Sequence, residues 1–287
     1  MRSETEMLNL IRSTAENDSR IRAAWLEGSR VNPSAPRDLF QDYDVVYVVT
    51  ETRSFREDRQ WIDRFGERLY MQYPEENPSY PSDVDRCYGW LIQFADGNRL
   101  DLHVCTWDYA RDHLELYTVL VDKDNLLPQK QMCSDQIYWV KKPSQEQFSC
   151  ACNEFWWCLN NAAKGLWRGE LPYAMEMIDF NIRPMLRQLL EWKIGVLTGF
   201  SVSAGKSAKY MDRYLPPEDC RQYLQTYSAA ETEAVWEAVF IMCGLFDRIA
   251  GEVGSALHFT CDRTEAENSR MYLEHVRKLP RDAEQIY

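Results

Sequence analysis

Two aspartates, Asp42 and Asp44, open a run of strand-forming residues, Val45 to Val49, that is apolar throughout apart from the Tyr47 hydroxyl. Side chains of a strand alternate between its faces, so carboxylates at i and i+2 share a face about 6–7 Å apart along the chain. Two carboxylates that close repel when both are ionised, and a cation between them relieves the repulsion. A hard divalent ion such as Mg2+ suits the pair, because it is held by one or two carboxylates together with the phosphate oxygens of a substrate. A strand apolar on both faces is a central one, and it would fix these ligands to the core.

Upstream, Trp25-Leu26-Glu27 reads as a strand running into the turn Gly28-Ser29-Arg30. Glycine lets backbone N–H groups come close to a phosphate, serine adds a hydroxyl donor, and arginine clamps phosphate oxygens. Downstream, the strands 90–95 and 99–104 are joined through Asp96-Gly97, a strong hairpin signal. Asp101 stands early in the second of them, where it can meet the other two carboxylates across a sheet; the alternative is an exposed polar residue of an alternating strand.

The elements that must position these residues follow from periodicity. Met7, Leu10, Ile11 and Ala15 mark a helix over 4–17, packed beside the strand that carries Trp25. Ser54 and Glu57 match a capping box, and Phe55, Ile62, Phe65, Leu69 and Tyr73 trace the stripe of a helix behind it. From Pro74 to Tyr88, three prolines and four acids make a stiff loop, either a surface connection or a source of acids and tyrosines for a cationic substrate. Tyr117 to Val121 is a further strand, and Asp122-Lys123-Asp124 at its end either contacts a nucleotide or turns the chain.

The texture changes at Leu127-Pro128-Gln129-Lys130 and again at Lys141-Lys142-Pro143-Ser144, which sets the domain boundary between 135 and 145. Beyond it, Phe148, Cys152, Phe155, Trp156, Leu159, Ala163 and Leu166 predict a helix from Ser144 to Gly169. Pro172 opens the next, which stops at Gly195, and another runs from Glu231 to Ala250. The chain is thus α+β: a domain over 1–138 with a mixed sheet, followed by an all-α helical bundle over 139–287.

The net charge of −12, from 45 acidic and 33 basic side chains, argues against a nucleic-acid partner, which needs a basic channel. An acidic protein suits a cationic small substrate, though the charge can equally serve solubility alone. Nine scattered cysteines do not form a disulfide framework, Met1 to Glu6 lacks the pattern of a signal peptide, and the longest apolar run, Ala238 to Phe246, is too short to span a membrane. A cytoplasmic protein with no membrane partner is expected.

Other motifs are weaker. Gly205-Lys206-Ser207 lacks the first glycine of a phosphate-binding P-loop, whose place is taken by Phe200. Lys206 and Lys209 either reach a triphosphate from the second domain or are solvated. His103 shares a strand face with Asp101 and reads best as a structural histidine. Within Asn153-Glu154-Phe155-Trp156-Trp157, Glu154 lies off the apolar stripe, as a solvated helix residue or as an acid for a cationic substrate.

Gly-Ser, a short gap, Asp-x-Asp and a later carboxylate resemble the nucleotidyltransferase signature of the polymerase-beta-like superfamily. Over essentially its full length the chain resembles the aminoglycoside 6-adenylyltransferases, on Gly28-Ser29-Arg30, Gln41-Asp42-Tyr43-Asp44, Asp96-Gly97 with Asp101-Leu102, Asp122-Lys123-Asp124, Asn153 to Trp157, and Ala163-Lys164-Gly165-Leu166. The resemblance implies a polymerase-beta-like nucleotidyltransferase domain, a helical substrate domain, and direct transfer of AMP from ATP to the 6-hydroxyl of streptomycin with loss of pyrophosphate. It implies that Asp42, Asp44 and Asp101 hold Mg2+, with Asp101 as general base or as a second-metal ligand. Gly28, Ser29 and Arg30 would bind the nucleotide, to which the residues alone add Lys206 and Lys209 as candidates. Glu154, Trp157 and Asp101 would meet the cationic aminoglycoside on a monomer. The competing readings are transfer to another antibiotic or to a protein hydroxyl, and a nucleotide-binding protein without turnover.

Overall fold

The computed structural model describes residues 1–128 and 134–287, which fall into two compact units, Met1–Ile137 and Tyr138–Tyr287. Gln129 and Lys130, part of the first change of texture, lie outside the described residues.

The first unit is built on strands β1 (Ile21–Glu27), β2 (Tyr43–Val49), β3 (Arg68–Gln72), β4 (Cys87–Phe94), β5 (Arg99–Cys105) and β6 (Thr118–Asp122). They form one sheet in the order β3-β4-β5-β2-β1-β6, in which β2 and β5 run parallel and the other neighbours antiparallel. The sheet is mixed, as expected. Helix α1 (Glu4–Asn17) lies on one face; the short helices α2 (Arg53–Glu57) and α3 (Trp107–Asp112) complete the unit.

Period two explains why β2 is central. Val45, Tyr47 and Val49 pack with Met7 and Ile11 of α1 and with Trp61 and Trp90, whereas Val46 and Val48 pack on the other face with Trp25, Cys105 and Ala110. Side chains at the sheet edge hold α1 in place. Lys123 donates to the carbonyls of Ala15 and Asp18 at 2.8 and 3.0 Å, closing the C-terminal end of α1. Asp122 accepts from the backbone N–H groups of Leu126 and Leu127, and Asp124 pairs with Arg22. Asp122-Lys123-Asp124 is therefore a chain-turning and capping device.

The helix expected behind Ser54 is not formed. The segment breaks into α2, a 3-10 turn at Trp61–Phe65 and the edge strand β3, and Ser54 lies inside α2 rather than capping it. Gly66, at φ 120°, cannot continue a helix, and Phe55, Trp61, Ile62 and Phe65 are buried one short turn at a time. Leu69, assigned to the stripe, is exposed on β3.

The second unit comprises α4 (Gln145–Arg168), α5 (Leu171–Met177), α6 (Arg183–Thr198), α7 (Pro217–Gln225), α8 (Thr232–Leu257) and α9 (Arg263–Lys278). Ser144 caps α4 in a reciprocal box with Gln147, and Gly169 ends it in the left-handed region. The helix that opens near Pro172 does not stop at Gly195. It passes through a π-helical turn at Ile178–Ile182 and ends at Thr198, capped by Gly199. Pro184 has no N–H to give and its ring crowds the preceding turn, which the wider π turn accommodates. Gly195 is a packing residue: a Cβ there would lie 2.3 Å from the Phe200 ring. The core closes where Phe155 of α4 stacks on Phe246 of α8 at 3.7 Å. Among the described residues no helix is long and apolar enough to cross a membrane.

Candidate active site

Sheet register builds the site. Asp44, one residue into β2, stands opposite Glu27 in antiparallel β1 and opposite Asp101 in parallel β5. Asp42 lies just before β2 rather than in it, yet it still joins the group: ligand oxygens of Asp42, Asp44 and Asp101 lie within 4.8 Å of one another, and all three residues are half-buried. The turn that follows β1 presses on the same carboxylate. Gly28 has φ +71°, and a Cβ on it would lie 1.9 Å from Asp44 Oδ2, so the close approach needs glycine.

This crowding sets the electrostatics. Burial first, and then the charges of Asp42, Asp101 and Glu27, push the Asp44 carboxyl up to about 7. Burial likewise raises Glu27, against a hydrogen bond of 2.9 Å from the Trp25 indole. A group of carboxylate oxygens that disfavours its own ionisation fits a hard divalent cation, which takes oxygen ligands and offsets the repulsion.

Two arginines near the triad are held in different ways. Arg30, expected at a triphosphate, is only 8 % exposed and is spent on its own chain. Its Nε and Nη2 donate to the carbonyls of Asp42 and Gln41 at 2.9 and 2.7 Å, and its guanidinium lies 3.7 Å above the Tyr43 ring. The Gln41 amide in turn donates to the Ser29 carbonyl at 3.1 Å, so the loop that delivers Asp42 is tied to the Gly-Ser-Arg turn. Arg99 is the arginine at the carboxylates. It donates to Asp101 Oδ1 and Oδ2 at 2.9 and 2.6 Å, and its Nε lies 3.5 Å from Asp42 Oδ2.

Sequence reasoning missed Arg99 and Glu27. Arg99 stands two residues before Asp101, and the period-two argument used for Asp42 and Asp44 would have placed it on the same face. Glu27 required the register of β1 against β2, for which the local sequence carries no signal.

The acids of the proline-rich loop bind their own chain. Glu75 accepts from the Gly89 N–H at 2.8 Å and lies 3.7 Å from His103, Glu76 accepts from Tyr88 and Arg59 at 2.6 and 2.7 Å, and Asp85 pairs with Arg56 at 2.5 Å. These contacts serve the surface connection, one of its two readings. In the helical unit, Glu154 and Trp157 are exposed on α4 at a spacing that makes them neighbours, and Glu154 accepts from the Cys158 thiol at 3.2 Å. Lys206 and Lys209 are exposed in a short turn, with the Lys209 ammonium 5.2 Å from the Tyr210 ring.

Residues 1–276 match the family model of streptomycin adenylyltransferase. An aminoglycoside 6-adenylyltransferase of Bacillus subtilis (strain 168) is 38 % identical over 263 residues, covering 90 % of this chain and 93 % of the relative. Enzymes of the same name from Staphylococcus aureus and Campylobacter jejuni are 34 % and 35 % identical; they cover 88 % and 90 % of this chain and 91 % of each relative. A solved structure of an aminoglycoside 6-adenyltransferase from Bacillus subtilis aligns with 97 % of this chain and 100 % of that chain at 34 % identity, with a TM-score of 0.48. Matched almost from end to end, and carrying three gathered carboxylates beside a Gly-Ser turn, the chain belongs to the streptomycin adenylyltransferase family.

Proposed function

We propose that this protein transfers AMP from ATP to the 6-hydroxyl of streptomycin, with Mg2+ as the metal and pyrophosphate as the leaving group. Adenylyl transfer to an aminoglycoside is the reaction for which the relatives are named. The observation that carries the chemistry is the gathering of Asp42, Asp44 and Asp101 within 4.8 Å at the start of the central strand β2 and on its neighbour β5. These three would hold the divalent cation, which when bound offsets the charge of the triphosphate.

The chain's own residues do the rest. Gly28 and Ser29 offer a backbone N–H and a hydroxyl to phosphate oxygens. Arg30 acts on the nucleotide indirectly, by holding the Gln41–Asp42 bend. Asp101 accepts the proton of the attacking hydroxyl as the new O–P bond forms and the bond from the α-phosphorus to the pyrophosphate oxygen breaks. Glu154 receives a guanidinium group of the antibiotic through paired charge-assisted hydrogen bonds, and Trp157 offers its ring face to the same cation.

Incubation with ATP, Mg2+ and streptomycin, followed by mass spectrometry and NMR of the antibiotic, tests this reading. An AMP ester at the 6-hydroxyl is expected. An adduct at another hydroxyl, or on a different aminoglycoside only, overturns the substrate assignment, and ATP binding without any adduct overturns the reaction.

A further inference from the structure

Arg99 bridges two of the three carboxylates that would hold a metal. Its fork occupies both oxygens of Asp101, and its Nε reaches to 3.5 Å from Asp42. A cation shared by Asp42 and Asp101 competes with that guanidinium for the space between the two carboxylates, which the Arg99 Nε now spans. The displacement is sterically open: the Arg99 side chain is 47 % exposed, whereas Arg30 is locked on backbone carbonyls. A guanidinium fork matches phosphate as well as carboxylate, so the displaced side chain has a second partner whenever a polyphosphate lies beside the triad.

We propose that Arg99 is an exchangeable counter-cation, offsetting part of the charge of Asp42 and Asp101 before ligands bind and passing its fork to the triphosphate when metal and ATP enter. The proposal rests on the adenylyl-transfer reading of this site. It makes metal entry dependent on nucleotide: metal alone competes with Arg99, while metal with ATP supplies the anion that takes Arg99 away. Crowded carboxylates thereby stay ordered between turnovers.

The test reads binding rather than turnover. Mn2+ is titrated without nucleotide, with free Mn2+ followed by electron paramagnetic resonance, for wild type, Arg99→Ala, Arg99→Lys and Asp44→Asn, each checked for folding by thermal melting. ATP affinity is measured in parallel by equilibrium dialysis with Mg2+. Arg99→Ala should bind Mn2+ about tenfold more tightly than wild type, about 1.4 kcal/mol, and ATP about tenfold more weakly. Arg99→Lys, which keeps the charge and loses the fork, should fall between. Unchanged Mn2+ affinity or unchanged ATP affinity in Arg99→Ala overturns the exchange. Asp44→Asn separates the two readings: if it loses Mn2+ while Arg99→Ala is unaffected, the exchange alone fails, and if it binds Mn2+ as wild type does, the metal assignment fails and takes the exchange with it.

Discussion

The two units handle buried charge in opposite ways. In the helical unit, Asp219 of α7 is 1 % exposed and is matched on both oxygens, by Lys193 of α6 at 2.6 Å and Arg248 of α8 at 2.7 Å, with Glu252 completing the network at 2.5 Å from Lys193. In the sheet unit, Glu27, Asp44 and Asp101 stand in one row across three strands with Asp42 beside them, and Arg99 meets only Asp101 and Asp42. The helical network is closed and ties three helices together. The row in the sheet has more carboxylates than cations, and burial, then the neighbouring charges, raise Asp44; a divalent cation would offset that imbalance.

If this contrast is right, charge removal should cost stability at the Asp219 network and activity at the row around Asp44. The largest structural effect is expected for Asp219→Ala, which removes the buried carboxylate between Lys193 and Arg248 and leaves both cations to Glu252; it should cost about 3 kcal/mol by chemical denaturation. A loss below about 1 kcal/mol would show that the network is not the tie described here. In the sheet unit, Gly28→Ala drives a Cβ into the Asp44 carboxylate from a strained left-handed φ. Turnover should fall about 100-fold, consistent with the cost of roughly 1 Å misplacement at a reacting centre, and steady-state pyrophosphate release would measure it.

Arg30→Ala sharpens the comparison between the two arginines. If Arg30 orders the Gln41–Asp42 bend, the variant loses about 1–3 kcal/mol of stability, and turnover falls because Asp42 is displaced. A raised KM for ATP at unchanged melting temperature would instead make Arg30 a direct triphosphate ligand. The smallest effect concerns a paired carboxylate of the sheet unit away from the row. Burial alone would raise the Asp18 carboxyl, but hydrogen bonds from Arg20 and the Trp61 indole outweigh it and lower the group from 3.8 to about 2. A depressed acid stabilises the fold above its unfolded value and loses that contribution as pH falls through its folded value, so stability should decline between about pH 4 and pH 2. Asp18→Asn should flatten that limb and, with solvent screening at this partly exposed site, cost about 1 kcal/mol at pH 7; an unchanged acid limb would contradict the pairing.

Strand elements at the site were legible because their signals are local. An apolar run buried on both faces marked β2, Asp96-Gly97 marked the β4–β5 hairpin, and Ser144 and Gly169 bounded α4. Segment 54–73 was misread because tight 3-10 turns bury a residue every three positions, a spacing that imitates a helix until Gly66 ends it. The end of α6 was misplaced because a glycine inside a helix can serve close packing, here against Phe200, as well as termination. Which arginine is spent on carbonyls and which faces carboxylates depends on the bend at Gln41–Asp42, and residue type carries no mark of it.

The claim that the row around Asp44 is a reaction centre is tested most directly by pyrophosphate release from ATP and Mg2+ with streptomycin, comparing wild type with Asp44→Asn. The variant is nearly isosteric and removes the carboxylate most opposed to its own ionisation, so it should melt no lower than wild type. Its rate should fall at least about 10³-fold. A folded Asp44→Asn protein that works within about tenfold of wild type would contradict the account.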